Sequence, residues 1–293
     1  MHALRLARAI AAVGLLALAT GGCGSDAPGR DDGPFAYDRD AALELEESGK
    51  IRSGGVTIRD LSYAVPSGRV LAFLVTPPNA KDLPGVVYLP GTGGDRTEFL
   101  GPAIAMAGRG AAVLLVTPPS SGHQRAGATL NARLLDLHDT VVGDVVATRR
   151  AIDALQARPE VDGKRIALIG WSAGAHTAAI VAGADGRLDA TVLMSAGTED
   201  TAAYAAQAPP ADRPQIREAL EPIDPLTWLG RADPEAVLIQ DGKKDEVVPR
   251  SALERMIAAA PKGTIVRWYT SGHDLSDAAY ADHLAWLQAR LGF

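Results

Sequence analysis

One cysteine in 293 residues cannot close an internal disulfide or build a thiolate metal cluster, which excludes a stapled mini-protein and a zinc finger. Basic charge is also short. The chain has 29 Lys and Arg against 35 Asp and Glu, a formal net charge of −6, and its arginines are scattered. No positive stripe is available to neutralise a run of phosphates, so nucleic acid is excluded as a partner. The sequence lacks an internal repeat, and its body lacks a second Pro/Gly/Ser-rich break, so one domain of about 240 residues is expected. What it does have is 47% hydrophobic residues at a mean hydropathy of +0.03, enough to pack a sizeable core and too much for a disordered tail.

Residues 1–25 open with a basic start (Arg5, Arg8), continue through the apolar run 9–19 and end in the small residues TGGCGS. This order reads as an export signal, placed at residues 1–22. The uncharged stretch 9–25 holds 17 residues, the short limit for a helix crossing about 30 Å of hydrocarbon, so a permanent span is the weaker reading. Cys23 follows Gly21 and Gly22 directly, where it resembles the lipidated first residue of a mature bacterial lipoprotein. That resemblance implies attachment to a membrane through Cys23; ordinary cleavage nearby would instead leave a secreted or periplasmic protein. Residues 24–37 are rich in Gly, Pro and Asp, and a flexible tether is expected over 23–50, ahead of a domain at 51–293.

From residue 55 onward, β-type and helical patterns alternate. VTIRDLSYAV (56–65) and RVLAFLVT (69–76), parted by Pro66-Ser67-Gly68, predict an antiparallel pair. Apolar runs at 85–90, 111–117, 165–170, 190–196, 236–241 and 264–270 are continuous enough for strands covered on both faces. Amphipathic stretches at 97–109, 136–157, 173–182, 251–260 and 277–290 lie between most of them. Together they predict an α/β domain with a mostly parallel central sheet flanked by helices, and in such sheets the reactive groups gather at the C-terminal ends of the strands. Residues 197–234 break the rhythm with six prolines and two short helical pieces, which predicts a small cap-like insertion over the sheet.

At the end of the strand RIALIG stands Gly170-Trp171-Ser172-Ala173-Gly174, followed by an Ala-rich helix. A serine on a sharp strand-to-helix turn needs flanking glycines, because a Cβ at either place would collide with the neighbouring strand or helix. The turn lifts Oγ above the sheet and sets the Ala173 amide at a helix N-terminus, where it can stabilise an oxyanion. A serine hydroxyl is a weak nucleophile and needs a histidine base and an orienting acid. Asp245 follows the strand AVLIQD and His273 follows TIVRWYT, so each of the three sits after a different strand. Glu199 and Asp200 are rival acids, and His123 is the other histidine placed for the site rim. The run Pro90-Gly91-Thr92-Gly93-Gly94 offers a second oxyanion donor in the Thr92 amide. Trp171 and Trp228, with His123, are expected to line the substrate pocket.

With nucleophile, acid and histidine in this order, the sequence from residue 56 onward resembles the α/β-hydrolase superfamily. The opening strand pair, LVTPP and VVYLPGTGG make it similar to the dienelactone-hydrolase and acetyl-xylan-esterase branch. The resemblance implies hydrolysis of a small-molecule ester through acyl-Ser172, with no metal and no organic cofactor. Amide or peptide hydrolysis by the same residues, and a non-catalytic surface-anchored binding protein on this fold, are the alternatives.

Overall fold

The computed structural model describes residues 32–122, 129–198 and 201–293. Nine strands form one sheet: β1 (Glu46–Ser53), β2 (Val56–Val65), β3 (Gly68–Thr76), β4 (Leu83–Leu89), β5 (Ala112–Val116), β6 (Val161–Trp171), β7 (Ala190–Met194), β8 (Val237–Gly242) and β9 (Ile265–Tyr269). Their order is β1-β2-β3-β5-β4-β6-β7-β8-β9. The pairs β1/β2, β2/β3 and β3/β5 are antiparallel, and every pair from β5 through β9 is parallel. The predicted opening hairpin is therefore β2/β3, with Val65 opposite Gly68 across the turn.

Alternation along the parallel strands feeds two cores. Leu83, Val87 and Leu89 of β4 and Ile166 and Leu168 of β6 face one side of the sheet; Val86, Tyr88, Ala167 and Ile169 face the other. The first side is covered by α2 (Leu130–Gln156), α3 (Ala173–Ala184), α6 (Pro225–Leu229) and α7 (Arg250–Ala259), the second by α1 (Leu100–Ala107) and α8 (Asp277–Leu291). Helix α2 begins before residue 136 because the Thr129 hydroxyl caps it, accepting the Ala132 N–H at 3.2 Å, and because Leu134 is buried. Among the described residues no helix is long and apolar enough to cross a membrane.

Residues 32–50 belong to the folded body, contrary to the expected tether over 23–50. β1 pairs with β2 from Glu46 to Ser53, with a register shift at Ser48, through a two-residue turn in which both Gly54 (φ +58°) and Gly55 (φ +79°) adopt positive φ. Ahead of it, Phe35 is fully buried, edge-on to Trp228 at 5.1 Å. Arg149 of α2 donates to the Phe35 carbonyl, to Asp32 and to Asp185, the residue that ends α3. Arg187 donates to Asp185, Asp153 and Gln156, and the Tyr37 hydroxyl donates to Asp153. Burial pushes the Tyr37 phenol up to about 12, with the neighbouring Asp153 charge adding to the rise. A closed set of arginines and carboxylates thus pins the start of the domain to the ends of α2 and α3.

The insertion expected at 197–234 holds three short helices, α4 (Thr201–Ala206), α5 (Arg213–Leu220) and α6, and its apolar residues Ile216, Leu220, Ile223 and Trp228 enter the first core. Trp228 is therefore not a pocket wall. Its indole N–H donates to the Pro222 carbonyl at 2.9 Å, and its backbone presses on Gly183 near the far end of α3, about three turns from Ser172.

Candidate active site

Strand β6 runs directly into α3, and Ser172 occupies the corner with φ +54° and ψ −118°, a conformation that costs a non-glycine residue about 1–3 kcal/mol. The surroundings enforce it. The Ser172 N–H donates to the Met194 carbonyl at 2.9 Å, which ties the corner to the end of β7. A Cβ on Gly170 would strike the Gly174 carbonyl oxygen, and a Cβ on Gly174 would strike the Pro90 carbonyl oxygen at the end of β4. Both glycines of the motif are required by backbone approach.

Ser172, His273 and Asp245 come together from the ends of β6, β9 and β8. The Ser172 Oγ lies 3.0 Å from His273 Nε2, and His273 Nδ1 lies 2.8 Å from Asp245 Oδ2. The Asp245 side chain is 1% exposed, and its other oxygen accepts the Val247 and Val248 amides at 2.9 Å each. The carboxylate, held by these partners, fixes one imidazole tautomer: Nδ1–H donates to Asp245, leaving Nε2 as the acceptor for the Ser172 hydroxyl. Glu199, Asp200, His123 and Cys23 lie outside the described residues.

Two contacts that sequence reasoning missed hold His273 from behind. Its carbonyl accepts the Trp171 indole N–H at 3.0 Å and the Ser195 hydroxyl at 2.6 Å. Trp171, expected as an apolar wall, thus carries a polar tie as well; its ring lies 5.0 Å from the imidazole and 6.0 Å from Phe99. Ser195 is fully buried at the end of β7 with φ +50°, its amide bonded to the Gln240 carbonyl at 2.8 Å. No signal in a single sequence announces a serine in that conformation. His176, one turn along α3 from Ser172, donates Nε2–H to the Gly197 carbonyl at 2.9 Å and anchors the base of the insertion; burial lowers its pKa and keeps it neutral.

On the other side of Ser172 the loop after β4 closes over the corner. A Cβ on Gly91 would lie 2.6 Å from the Trp171 ring and 3.6 Å from the Ser172 Cβ, so the main chain passes close beside the corner. Among the described residues, neither the Thr92 amide nor the Ala173 amide is bonded to a backbone carbonyl. Both donors remain available to a bound oxygen. Near the acid, Asp241 at the end of β8 is fully buried, and its carboxyl oxygens make no hydrogen bond of ordinary length. Burial raises its carboxyl to about 7, against the Ala196 amide and Arg250, with the Asp245 charge adding to the rise.

Comparison with known proteins agrees with this architecture. An acetyl xylan esterase from a Paenibacillus species superposes with a TM-score of 0.72 over 85% of this chain and 89% of its own, at 19% identity. Acetyl xylan esterase 1 from a Thermoanaerobacterium species gives a TM-score of 0.73 over 87% and 90%, at 17% identity. An S-formylglutathione hydrolase from Agrobacterium tumefaciens gives 0.62 over 84% and 99%, at 19% identity. At these identities the likeness is one of fold. No curated protein matches the sequence. The sequence model of the alpha/beta hydrolase family matches residues 86–290, most of the chain and all three of Ser172, Asp245 and His273, and the protein belongs to that family.

Proposed function

We propose that the protein is a serine hydrolase cleaving carboxylic esters through an acyl-Ser172 intermediate. The observation that carries this reading is the continuous hydrogen-bonded series from Ser172 Oγ through His273 to Asp245, at 3.0 and 2.8 Å. His273 Nε2 takes the hydroxyl proton as Oγ attacks the ester carbonyl, and then gives it to the leaving alcohol. Asp245 holds the ring's tautomer and offsets the charge of the imidazolium. The Thr92 and Ala173 amides meet the negative oxygen of each tetrahedral intermediate, where one such donor is worth about 10²- to 10³-fold in rate. Water, activated by the same imidazole, then releases the acid.

The test is hydrolysis of a chain-length series of nitrophenyl acyl esters by wild type and Ser172→Ala. Turnover that falls by about four orders of magnitude or more in the variant supports the reading. Equal inertness of both toward esters, small amides and a serine-directed phosphonate would overturn it in favour of a binding protein; turnover of amides alone would make the enzyme an amidase. Export and membrane attachment through Cys23 belong to the same proposal, supported by the basic start, the apolar run and the Gly21-Gly22-Cys23 sequence. Cys23→Ala should release the protein from membranes, and unchanged partition would refute the anchor.

A further inference from the structure

At Gly91 the loop that carries Thr92 is tied by a side chain from seven residues downstream. The Glu98 carboxylate accepts the Gly91 N–H at 3.0 Å. The Gly91 carbonyl accepts the Gly94 N–H at 3.1 Å, and the Ser121 hydroxyl donates to the Gly94 carbonyl at 2.8 Å. Two consecutive peptide planes are thereby fixed on either side of the Gly91 Cα. The plane joining Gly91 to Thr92 is the one that matters. Its carbonyl is turned toward Gly94, and in a trans peptide the N–H of Thr92 must point the opposite way. Gly91 has no Cβ to restrain it and is the joint about which this amide would otherwise swing. The loop also packs closely on the acid at one point: a Cβ on Gly94 would run into the Glu98 carboxylate. Burial raises the Glu98 pKa, the Gly91 bond acts against that rise, and the Asp95 and Asp274 charges add to it.

Resting on the acyl-transfer reading above, we infer that Glu98 is a positioning residue: by accepting the Gly91 N–H it holds the Thr92 amide where the oxyanion forms. An acid two residues ahead of α1 has an ordinary role too, favouring the helix N-terminus, but that role acts on stability and requires only a negative charge. The two roles separate by experiment. Wild type, Glu98→Gln, Glu98→Asp and Glu98→Ala are compared for kcat and KM on a nitrophenyl ester, for the rate of phosphonylation of Ser172 by a nitrophenyl alkylphosphonate, and for Tm. Glutamine keeps an oxygen at the same reach, whereas aspartate keeps the charge and withdraws it by one methylene.

Glu98→Ala should lower kcat and the phosphonylation rate by about 10- to 100-fold with KM within about twofold, since a misaimed donor forfeits part of the full effect of one. Glu98→Gln should stay within about threefold of wild type, and Glu98→Asp should follow alanine. An alanine variant as fast as wild type overturns the inference. So does an aspartate variant that matches wild type while glutamine fails, or a change confined to Tm or KM. If wild type itself is not phosphonylated, the serine-hydrolase reading falls and this inference falls with it; if wild type reacts and the Glu98 variants react equally, only this inference falls.

Discussion

Asp185→Asn removes one charge from the cluster that pins the start of the domain, and its effect can be worked out from contacts. Asp185 is 4% exposed and accepts Arg149 Nε at 3.0 Å and Arg187 Nε and Nη2 at 2.8 and 2.7 Å. Burial alone would raise its pKa, but the Arg187 hydrogen bond and the Arg187 and Arg149 charges outweigh it and hold the carboxyl at about 2, against an ordinary 3.8. At about 1.4 kcal/mol per pH unit, that interval stabilises the fold by about 2.5 kcal/mol at neutral pH. Breaking a buried pair by neutralising one partner costs about 3–5 kcal/mol by general experience, so about 3 kcal/mol is expected for Asp185→Asn at pH 7. Because the folded pKa is depressed, the stabilisation is present above pH 4 and lost as pH falls toward 2. The gap between wild type and variant should therefore close across that window. Urea denaturation followed by tryptophan fluorescence at pH 7, 5 and 3 measures it. A gap below about 1 kcal/mol at pH 7, or one as wide at pH 3 as at pH 7, would refute the account of the cluster as an ion-pair clamp.

Asp241 predicts the opposite pH dependence. Its folded pKa is raised to about 7, so the native state keeps a proton that the unfolded chain releases, and wild type should lose up to about 4 kcal/mol between pH 4 and pH 7 that Asp241→Asn does not lose; parallel denaturation curves for the two proteins over that range would count against it. Trp171→Phe keeps an aromatic ring and deletes the N–H that holds the His273 carbonyl, and kcat should fall about 3- to 10-fold while Tm shifts by only a few degrees, as read by ester turnover and thermal melting. Gly174→Ala places a methyl against the Pro90 and Leu89 carbonyls, and should destabilise by about 1–3 kcal/mol or more in urea unfolding, with loss of activity.

The parallel half of the sheet is legible in the sequence because its strands are buried on both faces and spell continuous apolar runs. The Gly170-Trp171-Ser172-Ala173-Gly174 corner is legible because backbone approach at both glycines forbids other residues. β1 is not legible. Its residues EESGKIRS are exposed throughout, so no periodicity marks it, and only hydrogen bonding to β2 places it in the sheet. Trp228 read as a pocket wall because an aromatic residue in an insertion looks the same whether it faces a cavity or the core; its partners Phe35 and Gly183 are distant in sequence. Ser195 and Glu98 act through backbone groups of residues elsewhere in the chain, and a pattern of side-chain types carries no record of such bonds.

The pinned N-terminal segment gives the domain a direction. Helix α3 starts at the Ser172 corner and runs 12 residues, about 18 Å, before it meets Asp185 and the arginines that grip residues 32–37. The chain thus enters on the reverse edge of the sheet, with the reactive corner at the opposite edge. The first described residues and the Ser172 corner therefore lie at opposite ends of α3. A group joined to the domain at residue 32 would meet it about 18 Å from Ser172, at the far end of α3, so a bulky fusion at that point should leave the chemistry at Ser172 unhindered.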